Sequence, residues 1–173
     1  PERLEYTLNL TKILNDLLPE DVEGGISTSP ISYKYWERNT QEEQQLIELS
    51  CKHLAEVAFE MNRYREKNGK ELHLDIEPEP DCLIENSEES IRFFRDHLWP
   101  IGSEHLHREK DISIDEGEQM LKNHIRLCYD TCHFAVEFEE PREAVQQITE
   151  TGIRIGKAQI SAAIKTKLDA NQQ

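Results

Sequence analysis

A chain of 173 residues has room for one domain and is crowded for two. Its 35 acidic against 20 basic residues leave a formal net charge of −15, which repels a polyanion and argues against nucleic acid as a partner. No apolar run approaches the roughly 20 residues needed to cross a bilayer, and a hydrophobic share of 36% leaves little to spare for a core.

The chain opens at Pro1 with no signal peptide or basic, amphipathic transit segment and closes in a polar tail, 168–173, so it reads as a piece of a longer protein. Cys51, Cys82, Cys128 and Cys132 form no C-x-x-C pair. A strand-to-loop break between Cys128 and Cys132 argues against a metal knuckle, and reduced thiols in a cytoplasmic protein are the expectation.

The first element is a helix over 2–18, where Leu4, Leu8, Leu14 and Leu18 recur at helical spacing and Pro19 stops it. Gly24 and Gly25 lead into a short strand over 25–30. An aromatic loop follows over 31–38, with Tyr33, Tyr35 and Trp36 capping a surface or cleft. Thr40 caps a long helix through a capping box with Glu43, and Gly69 ends it. A strand over 72–77 alternates apolar and polar residues before Pro78 and Pro80. Asn86 with Glu89 caps a helix that runs through Leu98 and is closed by Pro100, and 102–115 reads as loop. A short helix over 116–124, a strand over 125–130 and a loop over 131–140 come next. A helix from Pro141 to Gly152, a strand over 153–160 and a helix begun at 162–168 complete the chain.

Strands alternating with helices signal an α/β fold built of βαβ units around a parallel sheet. Four strands make either an open sheet or about half of a (β/α)8 barrel, since closure takes eight strands and typically about 250 residues.

In both architectures functional residues stand at the C-terminal ends of strands. The second strand runs into Glu77-Pro78-Glu79-Pro80, the third into Asp130-Thr131-Cys132-His133 and the fourth into Gln159-Ile160-Ser161. A carboxylate closing a hydrophobic strand is costly to bury unless it is paired or bound to a metal. Oxygen ligands with one imidazole suit a divalent ion such as Mn, Mg or Zn. Singly, each residue has a plainer reading: Glu77 bonded to a loop amide, Asp130 capping the next turn, His133 a satisfied loop histidine. Together at matching strand ends they favour a site. His73 and Asp75 face either a barrel interior or a neighbouring helix and read as structural. His53 and His124 read as helix-face residues, and His97, His105 and His107 as surface. Ser27 and Ser161 lack a His–Asp companion pattern, which argues against a serine nucleophile.

The run Leu127-Cys128-Tyr129-Asp130-Thr131-Cys132-His133 resembles the D-T-x-H strand end of the xylose-isomerase-like TIM barrels, the superfamily of sugar isomerases, epimerases and endonuclease IV. Ile76-Glu77-Pro78 resembles that superfamily's earlier strand ending in a metal-binding glutamate. More closely, residues 77–83, 130–138 and 156–161, with Gly25-Ile26-Ser27-Thr28 and the leading helix, look like the EboE-type metabolite-traffic proteins. The resemblance implies that 1–173 is one partial barrel domain. It places Glu77 on a metal-ligating, often bridging, glutamate and Asp130 on an aspartate ligand. His133 falls on a histidine that serves another metal in endonuclease IV, and Gln159 falls where many members carry a histidine ligand. An amide oxygen is a weaker ligand than imidazole, which disfavours zinc and keeps Mn or Mg. The last ligand of the pattern, usually a glutamate on the final strand, falls beyond Gln173.

Three functions follow from the resemblance. The first is a divalent-metal-dependent sugar or sugar-phosphate isomerase or epimerase, in which Glu77 and Asp130 hold the ion and a carboxylate moves a proton beside a polarised carbonyl. Tyr35 and Trp36 would give it an apolar wall. The second is an EboE-type protein that binds or hands off a glycosylated or prenylated metabolite without turnover. The third is endonuclease IV-like phosphodiester hydrolysis, against which the net charge counts. The expected partner is a small sugar-like or glycosylated molecule, with no membrane span. Unclosed strand edges would favour oligomers.

Overall fold

A computed structural model describes residues 1–167. Its four parallel strands stand side by side in the order in which the chain makes them: β1 (Gly24–Thr28), β2 (Leu72–Ile76), β3 (Ile125–Asp130) and β4 (Ile155–Gln159). A doubly wound sheet reverses its strand order at a switch point, whereas consecutive order is the winding of a barrel. The chain is therefore an α/β half-barrel. Its sheet curls until β4 approaches β1 across the concave face.

Period-two alternation divides the two central strands between two environments. Leu72, Leu74 and Ile76 of β2, with Ile125, Leu127 and Tyr129 of β3, belong to the hydrophobic core beneath the helices. His73 and Asp75, with Arg126, Cys128 and Asp130, alternate with them and line the concave face, which we call the lumen. Both strands are buried along their whole length. On β4 the alternation is interrupted. Leu127 pairs with Ile155 but Cys128 pairs with Lys157, so Gly156 is the extra residue of a β-bulge. Ile155 thereby packs on the core, while Lys157 and Gln159 reach into the lumen.

The helices are α1 (Glu2–Leu17), α2 (Thr40–Asn68), α3 (Ser87–Arg92), α4 (Trp99–Lys110), α5 (Ile114–His124), α6 (Thr131–Val136) and α7 (Pro141–Glu150). Helices α2, α4 and α5 pack on one another, and α2 and α5 also lie against β2. Cys51, Ala55, Ala58 and Met61 of α2 meet no solvent, and neither do Leu106 and Leu121.

Five local expectations are corrected. The cap of α2 is Asn39, not Thr40: its side chain accepts from Glu42 N at 3.0 Å, and Glu42 Oε2 accepts from Asn39 N at 2.9 Å. Asparagine is the better cap, so the box forms one residue early. Nor does Pro100 close its helix. A π-helical stretch, Phe93–Leu98, joins α3 to α4 and hands the Trp99 N–H to Phe94 O. Pro100 then falls in the first turn of α4, where a missing N–H costs little. Most of 102–115 is consequently helix. Residues 131–140 are not all loop either, because Asp130 caps α6 by accepting from Cys132 N at 3.0 Å. Finally, 162–167 forms no helix: all six residues are exposed, and a helix without a buried face has little to hold it. Leu168 and the rest of the tail lie outside the described residues.

Candidate metal centre

Three strand ends deliver the site. Glu77 follows β2, its N–H bonded to Thr28 O at 2.9 Å. Asp130 ends β3 directly opposite Gln159, which ends β4. The Gln159 amide nitrogen donates to Glu77 Oε1 at 2.5 Å and to Asp130 Oδ2 at 3.0 Å. His133 stands in the first turn of α6, and its Nδ1–H donates to the Pro78 carbonyl at 2.9 Å. A carbonyl can only accept, so Nδ1 carries a hydrogen, and Nε2 is the nitrogen left facing the site, 3.9 Å from Asp130 Oδ2. Glu77, Asp130, His133 and Gln159 are thus brought together at one mouth of the lumen.

Asp130 is the most firmly held. Its Oδ1 accepts from the Ser161 hydroxyl and from Cys132 N. Burial pushes its carboxyl up, but Ser161, the Cys132 N–H and thiol, and the charge on His133 together carry it below the ordinary carboxylate value. The Ser161 hydroxyl thus supports Asp130, and its oxygen also accepts from Cys132 N at 3.0 Å. Cys132 is closer to the chemistry than its spacing suggested. One ligand atom from each of Asp130, Cys132 and His133 fits within 4.8 Å, because the supposed strand-to-loop break is a helical turn.

The lumen below is also polar. In the middle layer Lys157 Nζ donates to Ser27 Oγ at 2.9 Å. Beside them the Cys128 thiol is pushed up to about 12, by burial first and then by the charge of Glu77. The floor is the pair His73 Nδ1 and Asp75 Oδ1, 2.7 Å apart and both buried. A Cβ on Gly156 would stand 2.6 Å from His73 Nδ1, and one on Gly25 would stand 2.5 Å from Asp75 Oδ2, so only glycine fits on either side. His73 and Asp75 accordingly face the barrel interior.

The remaining histidines divide differently from their sequence reading. His105 is half-buried on α4, 2.8 Å from Glu56 Oε1 on α2. His124 is fully buried at the end of α5. Tyr33, Tyr35 and Trp36 form an edge-to-face cluster with exposed rings. Their loop is tied to the one after Glu77 by Lys34 N to Asp81 O, 2.7 Å, and Leu83 N to Ser32 O, 2.9 Å.

No family model, curated protein or solved structure matches the chain. Among the described residues no helix is long and apolar enough to cross a membrane.

The donor set fits a divalent ion. Among the described residues no lysine or arginine comes within 4.0 Å of Glu77 or Asp130, and a neutral amide compensates neither charge. An imidazole whose Nδ1–H is anchored on a backbone carbonyl, with Nε2 bare, is the usual presentation of a ligating histidine. Turned by half a rotation, the Gln159 amide would offer its oxygen to the same place.

Proposed function

We propose that the chain is a divalent-metal-dependent isomerase or epimerase of a sugar or sugar phosphate, of the xylose-isomerase-like kind. The supporting observation is the convergence of two partly buried carboxylates and an imidazole nitrogen on one place, with no lysine or arginine beside them among the described residues. Glu77, Asp130, His133 and Gln159 would hold the ion, Mn, Mg or Zn. When bound, it would supply polarisation of a substrate carbonyl or hydroxyl. Asp130, fixed by Ser161, Cys132 and Gln159, serves as an anchor. Glu77 accepts from Gln159 through Oε1, and its carboxylate is the group suited to move a proton on the neighbouring carbon. Four free cysteines support a cytoplasmic setting.

A second reading draws on the amide itself. With its nitrogen donating to both carboxylates, Gln159 holds the pair together without an ion. That arrangement supports an EboE-type protein that binds or hands off a sugar-like metabolite and does not convert it. Phosphodiester hydrolysis draws no support from a net charge of −15.

Elemental analysis of the purified chain and of Glu77→Gln tests the proposal. One divalent ion per chain is expected, with affinity reduced at least about tenfold by the substitution. No metal in either protein would sink the metal-dependent reading. With metal present, turnover on a panel of sugars separates the enzyme from the carrier.

A further inference from the structure

Sulfur joins the strand-end donors within one turn of helix. Asp130 caps α6, Cys132 and His133 follow in its first turn, and one ligand atom from each lies within 4.8 Å of the other two. The two edges of the imidazole face different carboxylates. Nδ1, which donates to the Pro78 carbonyl, lies 3.9 Å from Glu77 Oε1, whereas Nε2 lies 3.9 Å from Asp130 Oδ2. The nitrogen left for a ligand bond is thus the one turned toward Asp130. Asp130 presents the matching oxygen, because its Oδ1 is taken by the Ser161 hydroxyl and by Cys132 N.

We propose that Cys132 is a ligand of the divalent ion, so that Asp130, Cys132 and His133 form an oxygen, sulfur and nitrogen set that selects Zn2+ over Mn2+ and Mg2+. This rests on the metal-dependent reading above and names its ion. Tetrahedral zinc, about 2.0 Å from oxygen and nitrogen and about 2.3 Å from sulfur, sets its ligand atoms about 3.3–3.6 Å apart. From 3.9 Å, Nε2 and Oδ2 need a contraction of only about 0.5 Å to meet that geometry. The ring is already fixed on Pro78 O and the carboxylate on Ser161, which are the outer hydrogen bonds that orient metal ligands. The fourth position falls to Glu77, whose Oε1 meets the same Gln159 amide as Asp130 Oδ2. As the sulfur–metal bond forms, the thiol gives up its proton to solvent. A thiolate is a soft donor and suits zinc, whereas Mn2+ and Mg2+ take oxygen ligands. It offsets the amide of Gln159, which taken alone disfavours zinc.

Co2+ tests this on the full chain, because it takes zinc sites and a thiolate bound to it adds a sulfur-to-metal charge-transfer band in the near ultraviolet. Titration with Co2+ is expected to produce that band beside visible d–d absorption. Cys132→Ser should abolish the band, and Cys132→Ala should do so without leaving a hydroxyl; Cys82→Ser and Cys128→Ser should retain it. In equilibrium dialysis, Cys132→Ser should weaken Zn2+ binding at least about tenfold and leave Mn2+ binding within about twofold, since serine keeps an oxygen. Co2+ bound to the unaltered chain without the band overturns the assignment of Cys132 and leaves the metal-dependent reading standing. A band that survives both Cys132 variants does the same. Equal losses of Zn2+ and Mn2+ affinity in Cys132→Ser overturn the selection of zinc. No binding of Co2+, Zn2+ or Mn2+ overturns the metal-dependent reading itself.

Discussion

His124 shows how one buried side chain ties stability to pH. Its Nδ1–H donates to the Leu72 carbonyl at 2.7 Å, whereas Nε2 is buried with no partner. Protonating Nε2 would create a buried N–H without an acceptor, so burial holds the imidazole below its ordinary value of 6.5. The folded state therefore favours the neutral ring. The stability this confers is complete above about pH 6.5 and is lost as the pH falls from there toward the lowered folded value. Urea midpoints should decline between about pH 7 and pH 5, and His124→Gln should flatten that decline. A wild-type midpoint unchanged over the interval would contradict the account. Residues of this kind are hard to read in sequence. His124 looks like any polar position on a helix face, and its burial comes from β2 lying against the end of α5.

Elements were legible where their period was long and uninterrupted. The strands expected over 72–77 and 125–130 match the two central strands to within one residue, and the long helix ended by Gly69 is the 29-residue α2. Where local chemistry competes, the period is silent. Thr40-x-x-Glu43 and Asn39-x-x-Glu42 are equally good capping boxes on paper, and the chain uses the second. Asn39→Ala should therefore cost about 1 kcal/mol in thermal or urea unfolding, and Thr40→Ala only a few tenths. Equal losses would count against the assigned cap. The π-helical stretch before Pro100 is invisible for a related reason. It reroutes backbone hydrogen bonding without changing the apolar pattern, so a proline that normally stops a helix opens α4 instead. Helix α6 has six residues, too few to show a period at all. That Glu77, Asp130, His133 and Gln159 would stand near one another was readable, because they follow or close neighbouring strands. Lys157, Ser161 and Cys132 were not, since their places depend on the bulge and on that short helix.

At the scale of the molecule, the low apolar fraction has a structural cause. Only the convex face of the sheet is hydrophobic, while the lumen is built from Ser27, His73, Asp75, Arg126, Cys128 and Lys157. The outer strands β1 and β4 each pair on one side only among the described residues, leaving backbone groups that favour pairing between copies. A net charge of −15 opposes that approach, and salt screens it. Sedimentation should show the average mass rising from low salt to about 0.5 M; a single monomer mass throughout would mean that the edges are protected. One residue decides how these two faces coexist on β4. Ile155, Lys157 and Gln159 share the same odd spacing, so a regular strand would send all three to one side. Gly156 shifts the phase between them, committing the first to the oily layer and the others to the wet one. Pairing that glycine as an ordinary rung would force a choice: either Ile155 abandons the core, or Lys157 and Gln159 turn away from the lumen. The amide between the two carboxylates is thus as much a product of a skipped beat in the ladder as of its own side chain.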